Sequence, residues 1–179
     1  MPCMGEEQMK RILLYPILLT CFLLICVFIY FCCFSSVTKV ILVRHAERLN
    51  DTDTTSLSPA GFQRASALAH VVESAGITRI FVSDKKRALQ TAAPTGAALG
   101  ITLVQIPAGQ TDRFVDSIKA HRGEVILVVG HSDSVPTIIE RLGISSPPII
   151  ASTEFDHLFV VAFWQFRATM THLKYGNPN

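Results

Sequence analysis

An arginine and a histidine stand side by side at Arg44-His45, directly after the apolar run Val40-Ile41-Leu42-Val43. A guanidinium offers a planar fork of donors that fits a phosphate dianion, and a neutral imidazole can attack phosphorus and carry the phosphoryl group covalently. Phosphate chemistry is the functional reading of this pair; a surface arginine beside a packed histidine is the bland one, and an isolated dipeptide favours the latter. Two further segments reverse that balance. Ile80-Phe81-Val82 leads into Ser83-Asp84-Lys85-Lys86-Arg87, and Val125-Ile126-Leu127-Val128-Val129 leads into Gly130-His131-Ser132. Each is an apolar run that stops abruptly, the pattern of a buried strand reaching the rim of a sheet. In a parallel sheet the carboxyl ends of such strands share one edge, so Arg44, His45, Arg87 and His131 could converge there.

The elements that must hold these groups are readable around them. Leu49 to Ser58 is polar and reads as a loop over the site. Ser58-Pro59 has the form of an N-cap and first helical residue, and a helix is expected from Pro59 to about Ala75, with Phe62, Ala65, Leu68, Ala69 and Val72 as its buried stripe. Arg87 falls in the first turn of a second helix, which should reach Leu99 and stop at Gly100, with a kink or break at Pro94. Ile101 to Val104 reads as a strand, Asp112 to His121 and Pro136 to Leu142 as helices, and His157–Trp164 with Thr169–Tyr175 as a final pair of strands.

Arg44-His45-Ala46-Glu47, the segment Ser83 to Ala92 with its Arg87-Ala88-Leu89-Gln90-Thr91-Ala92 core, and Gly130-His131-Ser132 together resemble the three signatures of the histidine phosphatase superfamily, the phosphoglycerate mutase-like fold. Leu57-Ser58-Pro59-Ala60-Gly61 resembles a further family element. The resemblance runs from about Val37 to about Tyr175 and implies the small, single-domain phosphatase branch. It implies an α/β fold, a three-layer α/β/α sandwich with a mostly parallel central sheet. One departure is visible: Ala46 stands where the family usually has glycine, and a backbone of positive φ there would be strained.

The chain has 179 residues, 49% of them hydrophobic, enough for one domain with a real core plus an extension. A net charge of +2, with no basic run interleaved with aromatics, gives no reason to expect nucleic acid as a partner. The division expected is a tail over 1–11, a single transmembrane signal anchor over 12–34, and a catalytic domain over 37–175. The 12–34 run carries no charged side chain and is long enough to cross a bilayer; a cleaved signal peptide usually has a shorter apolar region. Lys10 and Arg11 before the run favour a catalytic domain outside the cytoplasm, periplasmic or extracellular, although Lys39, Arg44 and Arg48 blunt the asymmetry. All five cysteines, Cys3, Cys21, Cys26, Cys32 and Cys33, lie in the tail or the apolar run, so the domain depends on no disulfide. Cys32 and Cys33 could take a lipid, but membrane-embedded bystanders are the default reading. Only Ser35-Ser36-Val37-Thr38 would tether the anchor to the first strand.

The mechanism these residue types suggest is in-line attack by His45 and hydrolysis of the resulting phosphohistidine. Arg44, Arg87 and His131 would bind the phosphoryl oxygens and stabilise their charge. No cofactor is implied, and no metal-ligand spacing is evident. The general acid stays open: Glu47 follows the nucleophile, Asp112 and Asp116 lie between the second arginine and the second histidine, and there could be none. Glu124 and Asp133 are also near the motifs, Glu124 reading as a surface charge. The substrate would be a phosphorylated small molecule or a phosphoprotein, and the short interval suits an open pocket or a good leaving group. Two alternatives stand beside this: a membrane-tethered phosphate-binding or regulatory module, and a mutase-type phosphotransferase. His70, His121, His157 and His172 have no motif context.

Overall fold

The β-branched runs of the sequence form the centre of a sheet. In the computed structural model, which describes residues 6–34, 37–164 and 167–177, the chain runs α1 (Glu6–Phe34), β1 (Thr38–Arg44), α2 (Pro59–Val72), β2 (Arg79–Ser83), α3 (Lys86–Leu99), β3 (Leu103–Ile106), α4 (Thr111–Ala120), β4 (Val125–Gly130), α5 (Ser134–Arg141), β5 (His157–Trp164) and β6 (Arg167–Lys174). The strands make one sheet in the order β3-β2-β4-β1-β5-β6. β1 to β4 are parallel to one another, while β5 and β6 add antiparallel beyond β1, so the sheet is mixed.

Strand alternation divides the core in two. Ile41, Val43, Ile80, Val82, Leu127 and Val129 pack with Leu68, Val72, Ala88 and Ala92 of α2 and α3. Their neighbours Val40, Leu42, Phe81, Ile126 and Val128 pack with Phe114, Ile118, Val135 and Ile138 of α4 and α5. Strands covered on both faces must be apolar at every position, which is why they read as unbroken hydrophobic runs. The chain separates into two compact units, Met1–Ser36 and Val37–Asn179. The second holds all six strands and both apolar cores, and so has what a domain needs to fold by itself.

In the first unit, α1 covers the run expected to be a transmembrane anchor. That expectation finds no support: among the described residues no helix is long and apolar enough to cross a membrane. The side chains described in this helix, from Leu14 to Tyr30, are all exposed. Cys3, the Ser35-Ser36 part of the tether and the side chains of Lys10, Arg11, Cys32 and Cys33 lie outside the described residues.

Three local expectations differ from the structure. The buried face of α2 is Gly61, Arg64, Ala65, Leu68 and Val72, and Phe62 is 46% exposed. The cause is the close approach of α2 to the loop after β1: a Cβ on Gly61 would sit 2.2 Å from the Glu47 carbonyl oxygen. Only glycine fits against that backbone, and the helix is turned to bring it there. Pro94 does not break α3, which runs on to a left-handed Gly100; a proline removes one N–H bond, and buried Thr91, Ala92, Thr95 and Gly96 hold the helix against its neighbours. β3 begins at Leu103, because Ile101 is taken by the helix stop, its N–H donating to Gly96 O at 2.9 Å.

Candidate active site

β1 and β4 are paired in register through Arg44 and Gly130, so their next residues, His45 and His131, emerge together at the carboxyl edge. The His45 N–H still donates to Gly130 O at 2.9 Å, and the two imidazole centroids lie 5.2 Å apart. β2 delivers α3, and Arg87 stands in its first turn. Arg44, His45, Arg87 and His131 thus line one cavity of about 360 Å³, with Arg48, Ser132, Asp133 and Ser152 on its walls.

Each group is fixed by identifiable contacts. His45 Nδ1 lies 2.8 Å from the carbonyl oxygen of Ala46. A carbonyl can only accept, so Nδ1 carries the proton and Nε2 keeps its lone pair. Burial, opposed by the Ala46 carbonyl and aided by His131, Arg44 and Arg87, pushes the His45 pKa down to about 3, so the ring is neutral at ordinary pH. Burial, then Arg87, likewise lowers His131 to about 4. His131 Nε2 shares a 2.7 Å hydrogen bond with the Ser83 hydroxyl, which also accepts from Lys85 N.

Arg44 is held from far along the chain. Its Nη1 donates to the carbonyls of Ala151 and Glu154 at 2.8 and 2.9 Å, and its guanidinium carbon lies 4.1 Å from the centre of the Phe155 ring. Burial and the positive charges of Arg48 and Arg87 lower its pKa to about 10, which leaves it charged. The Nε atoms of Arg44 and Arg87 are buried with no acceptor. Burial lowers the Arg87 pKa too, partly offset by Asp53.

The Leu49–Ser58 loop borders this site. Arg87 Nη1 donates to Asp53 O at 3.0 Å and Lys85 pairs with the Asp53 carboxylate. Gln90 Oε1 accepts from the Ser56 hydroxyl and from Leu57 N, each at 2.9 Å. Thr91 Oγ1 accepts from Ala46 N at 3.0 Å, and Ala46 is wholly buried with Leu57 and Ala65. The methyl in place of the usual glycine therefore fills a small apolar niche.

The carboxylates considered as acids go elsewhere. Glu47 Oε1 accepts from Arg64 Nε and Nη2 at 2.8 and 2.7 Å and faces a separate cavity with Gln63, Ala67 and Gly176. Asp112 pairs with Arg141. Asp116 is exposed on α4, and neither aspartate lines the His45 cavity. Glu124 bonds Thr78 and Arg79. Asp133 does reach the cavity, while also accepting from Ser134 N at the start of α5. Sequence reading missed Arg48, Phe155 and the Arg64–Glu47 pair. Phe155 and Arg64 carry no local signal, since their partners lie far away in sequence; Arg48, directly after the first motif, could have been found.

A model of the histidine phosphatase superfamily (branch 1) matches residues 40–110. Among solved structures, the protein histidine phosphatase SixA complexed with tungstate superposes with a TM-score of 0.64 at 21% identity, covering 76% of this chain and 96% of that one. A phosphoserine phosphatase variant from Entamoeba histolytica with phosphoserine gives 0.58 at 18%, covering 77% and 96%. The mycobacterial glucosyl-3-phosphoglycerate phosphatase gives 0.59 at 14%, covering 70% and 90%. No match was found among curated proteins. The structural neighbours show the fold of the histidine phosphatases, and the family model matches the part of the chain that carries Arg44, His45 and Arg87.

Proposed function

We propose that the Val37–Asn179 unit is a metal-independent phosphatase that hydrolyses a phosphomonoester or a phosphorylated protein through a phosphohistidine on His45. The observation that carries this reading is the gathering of Arg44, His45, Arg87 and His131 around one cavity, with Nδ1 of His45 committed to the Ala46 carbonyl. Nε2 of His45 attacks phosphorus in line, the P–O bond to the leaving group breaks, and water later takes the phosphoryl group from the ring. Arg44, Arg87 and His131 hold the oxygens where charge develops, the main source of rate in phosphoryl transfer. The guanidinium groups of Arg44, Arg48 and Arg87 on the cavity walls support this, because a phosphoryl group would balance their charge.

The location of Glu47, Asp112 and Asp116 favours a leaving group that needs little protonation, such as a phosphohistidine or an acyl phosphate, with Asp133, among the described residues the acid that lines the cavity, available for other esters. The SixA neighbour, described as a protein histidine phosphatase and binding tungstate, is in keeping with that choice. The same location of the carboxylates favours a second reading, a phosphate-binding module without turnover.

Turnover of an aryl phosphate in the presence of chelator, compared with His45→Ala, tests both. Activity that survives chelator and is lost in the variant supports the phosphatase; vanadate binding without turnover in the folded wild type supports the module. Single-pass attachment to a membrane, with the domain outside the cytoplasm, is a separate proposal resting on the uncharged 12–34 run. Pelleting of the full chain with membranes after alkaline carbonate washing supports attachment, and release overturns it.

A further inference from the structure

The opposite edge of the sheet carries a second cavity of about 290 Å³, lined by Lys119, Arg122, Arg141, Arg167, Leu142 and Phe163. The topology brings these residues together. Lys119 and Arg122 lie just before β4, Arg141 ends the helix that returns from its carboxyl end, and Arg167 opens β6. Phe163 pairs with Thr38, the first residue of β1. His45 follows the other end of that strand, so about 20 Å of β-structure separates the two cavities.

The chemistry of this cavity is one-sided. Among the described residues its cations meet a single carboxylate, that of Asp112 on Arg141. Arg122 and Arg167 are exposed and paired with no acid among the described residues. The floor, Phe163 and Leu142, is buried and apolar, and supplies no counter-charge. Gathering cations around a low-dielectric floor raises a positive potential that an anion relieves. Guanidinium forks favour tetrahedral oxyanions, which they can bind in bidentate fashion.

We propose that this cavity is a non-catalytic anion site for a phosphate group, carried either by an anionic lipid headgroup or by free phosphate. The inference is independent of turnover at His45. The Val37–Asn179 domain, which has its own cores, is titrated with inorganic phosphate while the amide resonances of Gly143 and Ala168, which also line the cavity, are followed. In a second arm it is sedimented with phosphatidylglycerol–phosphatidylcholine vesicles or with phosphatidylcholine vesicles alone. Shifts at Gly143 and Ala168 assign the site to free phosphate; selective sedimentation with the anionic vesicles assigns it to lipid. In whichever arm responds, the Arg122→Ala/Arg167→Ala double variant is expected to lose the response, by about thirtyfold for vesicles, with aryl phosphate turnover unchanged. Absence of a response in both arms, or a response the double variant retains, overturns the proposal.

Discussion

Two cavities border the five-residue stretch Arg44 to Arg48, and they treat charge in opposite ways. In the one lined by Glu47 and Arg64, the buried guanidinium donates to Glu47 Oε1, to Tyr175 O and to Asn177 O, so cation and anion neutralise each other. In the one lined by His45, three arginines and two imidazoles share a space where, among the described residues, the lining carboxylate is that of Asp133. Paired charges tie parts of a fold together, whereas a gathered excess of one sign is set for a ligand of the other. Glu47 and His45 are two residues apart and fall on different sides of that line.

Substitutions can break this contrast. The largest effect is expected from His45→Ala: kcat on an aryl phosphate falls by about four orders of magnitude or more, as for loss of other nucleophiles, while thermal denaturation shows a folded protein. Arg87→Ala should cost about 10²- to 10³-fold in kcat, the usual toll for one transition-state donor.

On the other side, Arg64→Ala leaves Glu47 without its partner and should cost about 3–5 kcal/mol of stability in urea denaturation. The gentler Glu47→Gln separates the roles: if Glu47 only pairs with Arg64, kcat changes little, whereas loss of a general acid would lower it by about 10²- to 10⁴-fold. A smaller effect, about tenfold and mainly in KM, is expected from Phe155→Ala, which frees the Arg44 guanidinium from the ring beneath it.

The contrast extends to pH dependence. The folded-state pKa values of His45 and His131, about 3 and about 4, lie below the ordinary 6.5. Between the folded and unfolded values the unfolded chain binds more protons, so stability is complete above about pH 6.5 and falls as the pH drops toward 4. The slope is up to about 1.4 kcal/mol per unit for each histidine. Urea midpoints of wild type and His45→Ala across that range measure it, the variant having the shallower slope.

The legible and illegible parts of the sequence follow the same division. The three strands that lead to Arg44, Arg87 and His131 could be read because a strand buried on both faces must be apolar throughout, and its abrupt end marks the rim. Ser58 could be read as a cap, and its hydroxyl does accept from Gly61 N at 3.1 Å. The face of α2 could not be read from periodicity, because Gly61 is drawn in by the Glu47 backbone and Arg64 by a carboxylate 17 residues earlier. Nor could the hold on Arg44, which comes from carbonyls 107 and 110 residues away. Local spacing reports what a segment must bury; it carries no record of which distant partner a polar group finds.

The central claim is that His45 carries the phosphoryl group, and a base-quenched single turnover with excess enzyme, followed by peptide mass mapping, tests it most directly. The account expects a transient phosphoryl group on the His45 peptide that forms and decays at rates compatible with kcat, and none in His45→Ala. Turnover at an undiminished rate with no adduct on His45, or with the adduct on another residue, would contradict it.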